Sequence, residues 1–186
     1  SISPALELKN YWWIWGGVTR RFQTLDALDT RGGPPIERPA STSAWFGVGS
    51  DSRKSVSGDF NLDWERNAEG STWRSVSLQI EARPSTRVEF SLQPHYTRNN
   101  NDAQWVANVD DNSDGTQDHI VYGELESQVF EVTGRCSWVF TRDLTLQLYL
   151  QPFVAVGNYQ NFKELAKAKS YEFTPYAGLS SNPDFR

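Results

Sequence analysis

The chain has no methionine, one cysteine (Cys136) and two histidines among its 186 residues. A complete translated chain begins with Met; this one begins with Ser1, and no apolar signal-peptide core follows. The expectation is a mature or truncated piece. A single Cys excludes an internal disulfide and a Cys-rich zinc site. Basic residues are in deficit: 18 Lys+Arg against 23 Asp+Glu give a net charge of -5. That balance argues against a nucleic-acid partner, which needs a clustered basic surface. Long apolar runs are missing too, and none approaches the ~20 residues of a spanning helix. A helical membrane protein is therefore excluded. A membrane barrel is not, because barrel strands are apolar only at every second position.

What the chain does have is alternation. Over Val56–Trp64 the even positions carry Val56, Gly58, Phe60, Leu62 and Trp64, while Ser57, Asp59, Asn61 and Asp63 lie between them. The same parity recurs in Val76–Ala82, Val88–Tyr96, Phe130–Phe140 and Leu144–Leu150. No even position in these stretches is charged. A period of two means β-strands with one dry and one polar face. Turn residues separate the runs at 50–53, 67–70, 83–86 and 141–143, with Gly70 able to supply a positive φ. Longer connections are expected near 19–42, 97–118 and 157–169. Strands joined by hairpins give an antiparallel up-and-down meander. Within 118–140 the apolar parity changes from odd (Val121, Leu125) to even (Phe130, Val132). One long strand with a β-bulge near Ser127–Val129 explains this; two strands with a turn at Glu126–Gln128 is the alternative. In the single-strand reading the short turns fall at one end of the sheet. The long loops fall at the other, with the turn at Asn67 the one short connection among them.

Soluble β-sandwiches also alternate. Three features favour a barrel. Strands of ~10–14 residues exceed the usual ~5–6 and reach the ~9–11 needed to cross a bilayer. Aromatics sit near strand ends: Trp64, Tyr96, Phe153 and Tyr159 toward the long loops, Trp138 and Phe140 toward the short turns. These are girdle positions. Polar residues also fill the opposite face densely, as a hydrated lumen requires. The expected fold is all-β, part of a transmembrane outer-membrane β-barrel with about eight long strands. Tyr11–Trp15 is apolar at every position and its facing is open.

The runs RGGPPIERP (Arg31–Pro39), SDSRK (Ser50–Lys54), SLQPHYTRNNNDAQWV (Ser91–Val106), FTRDLTLQLYLQPFVAVGNYQNFKEL (Phe140–Leu165) and SYEFTPY (Ser170–Tyr176) carry a resemblance. The chain is similar, over nearly its whole length, to the C-terminal outer-membrane barrel region of bacterial proteins with an N-terminal family-nine-like carbohydrate-binding domain. That barrel region is a domain of unknown function. The resemblance implies an outer-membrane location with lipid around the wall, and a saccharide as the molecule handled. It supplies no catalytic residues. The carbohydrate-binding domain is missing from this sequence, and the end at Asn182–Arg186 does not alternate. Residues 1–186 are accordingly expected to be an internal fragment of a single barrel domain.

Candidate sites follow from the strand parity. Asp59, Asp63, Glu81, Glu89, Glu131, Arg87, Arg135 and Gln147 share the polar face and are expected to line the lumen. Paired carboxylates there could do acid/base work on a glycan; cross-strand salt bridging is the plainer role. Cys136 has the parity of the apolar face. Asp110, Asn112, Asp114 and Asp118 fit the first nine positions of a calcium loop, D-x-N-x-D-G. Val121 stands where the bidentate Glu belongs, so an intact EF-hand is excluded. A weaker calcium site and a solvated acidic loop tip both remain. No cofactor is otherwise expected. Arg31–Pro39 lacks the spacing and Lys of a P-loop and reads as a stiff outer loop, folded back over the barrel mouth. Residues 161–169 read as a solvated basic segment or a short helix. No Ser/His/Asp or metal-ligand arrangement is legible around His95 or His119. The functional expectation is solute passage or binding at the cell surface; the alternatives are a hydrolytic enzyme acting on glycans and a soluble β-sandwich binding module.

Overall fold

The computed structural model describes residues 1–111, 115 and 118–178. Among them there is no helix, and so none long and apolar enough to cross a membrane. The chain forms β1 (Ala5–Glu7), β2 (Trp13–Arg21), β3 (Thr24–Asp26), β4 (Ile36–Arg38), β5 (Ser41–Gly49), β6 (Val56–Asn67), β7 (Thr72–Ser85), β8 (Val88–Val109), β9 (His119–Val139), β10 (Thr145–Leu150), β11 (Phe153–Leu165) and β12 (Phe173–Pro175). Ten of these build one antiparallel sheet in the order β1-β2-β5-β6-β7-β8-β9-β11-β12, with β10 also on β9. Strands β3 and β4 form a separate hairpin within the β2–β5 connection. The sheet is open: its outer strands β1 and β12 do not pair with each other.

Short polar side chains make the turns. The Asp51 carboxylate accepts the Arg53 N–H (3.1 Å), and Ser85 Oγ accepts that of Arg87 (3.3 Å). Thr141 Oγ1 accepts the Asp143 N–H (3.3 Å). Asn67 Oδ1 takes two N–H groups, from Glu69 and Ser71, while Gly70 adopts φ 103°. These are Asx- and Ser/Thr-type turns, which close a chain reversal locally. The turns after β5, β7 and β9 lie at one end of the sheet. The connections after β2, β6, β8 and β11 lie at the other.

Strand β9 is one strand of 21 residues, and it carries no bulge at Ser127–Val129. Its register with β8 is constant from Leu125 to Trp138, and with β11 from Glu124 to Glu131. The register shifts lie in its neighbours, between Asn101 and Gln104 and between Trp105 and Ala107 on β8, and between Gln160 and Lys163 on β11. Asn161 takes a positive φ of 51° at the last of these, a conformation Asn tolerates better than most residues. The parity change in the sequence is therefore chemical, not geometric. Val121, Gly123 and Leu125 stay on the face of Glu131 and Arg135, and that face becomes dry where the Phe162 and Tyr159 rings close on Gly123.

Strands β10 and β11 face β9 in one continuous register, Thr145 opposite Val139 and Phe153 opposite Glu131. Pro152 lacks an N–H but its carbonyl still accepts from Val132 (3.0 Å). They act as a single long strand. Residues 161–165 end that strand, and 166–169 form a turn instead of a helix. Strand β8 likewise extends through 97–109 of the expected 97–118 loop.

The buried apolar side chains are few: Ile36, Ala103, Ile120, Val121, Tyr122 and Phe162. All but Ile36 lie at or next to the far end of the β8–β9–β11 ladder, and Ile36 arrives there from the β2–β5 connection. Over the rest of the sheet the apolar stripe is exposed. Leu144, Leu146, Leu148 and Leu150 are 58%, 42%, 57% and 68% exposed. In β6 and β7, Val56, Leu62, Trp64, Val76, Leu78 and Ile80 are exposed, while Ser57, Asn61, Asp63, Ser75, Ser77 and Gln79 beside them are half-buried or buried. Val76 is 38% exposed, for example, beside Ser75 at 5%. The facing of the Tyr11–Trp15 run is set by its pairing with β5. Trp15 packs on the polar face over Gly47 and Gly49, where a Cβ on Gly47 would collide with its indole, while Trp12 and Trp13 stay exposed.

Candidate functional site

The polar face of β6–β10 gathers carboxylates, amides, hydroxyls and guanidinium groups from adjacent strands. At its short-turn end it holds a cleft of about 530 Å³. Four of the expected face residues, Glu81, Glu89, Arg135 and Gln147, line it together with Gln79 and Tyr149. Arg83 ties the two carboxylates, reaching Glu81 at 2.8 Å and Glu89 at 3.5 Å. Gln79 donates to Glu81 (2.8 Å), and the Arg135 guanidinium lies 5.5 Å from the centre of the Tyr149 ring. Such a surface offers amides, hydroxyls and balanced charges to a polar solute. Asp59 faces Gln79 on the neighbouring strand, and Asp63 faces Ser75. Arg87 sits in the β7–β8 turn, where its carbonyl accepts from the Val139 N–H (2.8 Å). Cys136 pairs with Phe90 and Leu148 on the apolar stripe.

Midway up the same face is a row that parity alone does not reveal. Three adjacent strands contribute one residue each. Ser75 Oγ of β7 lies 2.8 Å from His95 Nε2 of β8. His95 Nδ1 lies 2.9 Å from Glu131 Oε1 of β9. A carboxylate only accepts, so Nδ1 carries the proton, and in the neutral ring Nε2 is left to accept from the serine hydroxyl. Thr97 Oγ1 is a second, longer partner of Nε2 at 3.3 Å, and Gln151 donates to the other Glu131 oxygen at 3.4 Å. The strand registers are what bring the row together, placing Ser77 beside His95 and His95 beside Glu131.

At the opposite end the connections fold onto the tip of the β8–β9 hairpin. The Tyr122 hydroxyl donates to Asp29 (3.0 Å), which also receives Arg38 (2.5 Å). Asn108 Nδ2 donates to the Thr30 carbonyl (2.9 Å), and Arg31 stacks 3.9 Å above the Trp105 ring. Arg31–Pro39 is thus a fixed element. Asp26 accepts the Leu28 and Asp29 N–H groups and Arg38. Chiefly the Leu28 N–H holds its carboxyl below the usual range. Tyr171 donates to Asp102 (2.9 Å), and burial raises its phenol above the ordinary value.

In the expected calcium loop, Asp110 accepts the Gly115 N–H (2.8 Å) and Asp118 accepts that of Asp111 (3.0 Å). Asn112 and Asp114 lie outside the described residues. Among the described residues no three His, Cys, Asp or Glu side chains gather as they would around a metal ion. His119 bridges Glu164 and Asp111, and the Glu164 contact foremost raises its imidazole pKa.

A family described as a domain of unknown function (DUF5916) matches residues 1–185. The chain belongs to the DUF5916 family. No match to it is found among curated proteins or among solved structures. For this DUF5916 chain, function is therefore argued from its own faces and contacts.

Proposed function

We propose that the chain forms part of the wall of an outer-membrane β-barrel whose polar inner face passes or binds a solute. The observation that carries this is the inversion of exposure. The apolar stripe is the open face of the sheet, and the polar stripe is the more enclosed one. A sheet stable in water does the reverse, and monomeric soluble proteins rarely leave a contiguous apolar surface of more than a few hundred Å². Among the described residues no second sheet covers the stripe, as a sandwich would require. Hydrocarbon is the solvent that suits it.

In that solvent an open strand edge is costly, because unpaired N–H and C=O groups find no water. The outer edge of β10–β11, paired to β12 only at 163–165, therefore closes against further strands. The bilayer core is about 30 Å thick. At about 3.3 Å per residue, β8 and β9 would reach roughly 70 Å. Their far halves, with the packed tip, then stand outside the membrane as a cap at the mouth. Mixed charge on Glu81, Glu89, Glu131 and Arg135 gives weak ion selectivity. The resemblance to barrel regions joined to carbohydrate-binding domains makes a saccharide the solute.

Planar-bilayer conductance of the full-length protein tests the reading: discrete steps, lowered by a permeating saccharide, are expected. A silent bilayer removes the channel, and release from cells without detergent removes the barrel itself.

A further inference from the structure

The Ser75–His95–Glu131 row is more than a set of satisfied polar groups. We propose that Ser75 is an activated nucleophile that takes the acyl group of a carboxylic ester reaching the polar face. The geometry is that of a relay, with a hydroxyl 2.8 Å from Nε2 and a carboxylate 2.9 Å from Nδ1. The carboxylate fixes the tautomer, and the Nε2 lone pair faces the Ser75 hydroxyl, with Thr97 Oγ1 farther off. Each member lies within a different paired strand, so the ladders hold the row rigid. This goes beyond passage of a solute and does not depend on it.

The chemistry balances without a co-reactant. Ser75 Oγ forms a bond to the ester carbonyl carbon as its proton passes to His95 Nε2. The C–O bond to the alcohol then breaks, and the departing alcohol takes that proton. Water attacks the acyl-serine, His95 again receives and returns the proton, and the acid leaves with Ser75 restored. Glu131 stabilises the imidazolium in both halves.

The surroundings also set a limit. The backbone of Ser75 is paired with Asp63 on one side and Thr97 on the other, so ladder bonding competes for the N–H groups that would form a backbone oxyanion hole. Asp63, directly opposite, places a carboxylate beside the developing oxyanion. Slow turnover follows, since preorganised oxyanion donors are usually the largest catalytic contribution. The informative readout is therefore covalent capture.

The folded full-length protein in detergent micelles is treated with a fluorophosphonate probe and digested, and the modified peptide is identified by mass. One adduct on Ser75 is expected. His95→Gln should slow capture at least 100-fold and Glu131→Gln at least 10-fold, and Ser75→Ala should abolish it. Heat-modifiable mobility of each variant shows that it is folded; if Ser75→Ala does not fold, the site of the adduct in the parent decides. No adduct on folded protein, an adduct elsewhere, or a Ser75 rate indifferent to His95→Gln overturns the proposal. None of these results bears on conductance, so the transport reading stands or falls separately.

Discussion

The two ends of this sheet solve different problems with the same strands. Toward the short turns, β6–β10 keep one face apolar and exposed and the other polar. At the far end of β8–β9–β11 both faces are covered: Val121 and Tyr122 are adjacent in sequence, point to opposite sides, and are each 0% exposed. Alternation marks a boundary between two solvents, and its loss marks the point where protein replaces both. The tip is thus a small conventional core attached to a wall that has almost none.

The sharpest way to break that contrast is at Tyr122, which packs edge-on against Phe173 and holds the β2–β5 connection through Asp29. Tyr122→Ala should cost about 3–5 kcal/mol, as for other large buried rings. It should expose residues 22–40 to protease while β6 and β7 remain protected. Next is the apolar stripe. Leu78→Arg should cost about 2–4 kcal/mol if its face meets the bilayer interior, read as the shift in urea midpoint for folding into lipid vesicles. A water-exposed leucine would tolerate the change within about 0.5 kcal/mol, so an unchanged midpoint assigns the stripe to water.

A smaller effect is expected at the β5–β6 turn. Arg53 grips both carboxylate oxygens of Asp51, at 2.8 and 2.9 Å, and holds its carboxyl at about 2. An unperturbed Asp titrates near 4, so the folded value is depressed. Its stabilisation is present above pH ~4 and lost as pH falls through about 2. Amide exchange at 50–54 should accelerate over that window, and Asp51→Asn should flatten the dependence. The smallest effect belongs to the tip. Thr30 is fully buried, and its hydroxyl has no hydrogen-bond partner among the described residues. Thr30→Val removes that unsatisfied group, so thermal unfolding should be unchanged or slightly later. Clear destabilisation would mean that the hydroxyl is bonded.

Much of the wall was legible because strand faces are written directly into residue parity. Leu62, Val76, Leu92 and Cys136 belong to one face whatever their partners. The turns at Asp51, Asn67 and Thr141 were legible for the same local reason, since their own side chains close them. The Ser75–His95–Glu131 row was not. Counting back from the β7–β8 turn places His95 opposite Leu78, and only the register shift between Ala82 and Ser85 brings it beside Ser77, two residues from Ser75. Glu131, however, joins only through the β8–β9 pairing, and a hairpin that long with register shifts leaves its alignment undetermined by sequence. The bulge expected near Ser127–Val129 is absent because the change of polarity there is not a change of geometry. What dries the odd face there is Phe162, which approaches from another strand.

The sequence by itself determined which side of each strand is apolar and where the chain reverses, because both depend on neighbours one to four residues away. Tertiary structure alone decided that Trp15 lies over Gly47 and Gly49, that Arg31–Pro39 locks onto the hairpin tip, and that a serine, a histidine and a glutamate from three strands share one row of hydrogen bonds. These depend on inter-strand register, which is a sum over pairings that no local stretch of sequence contains.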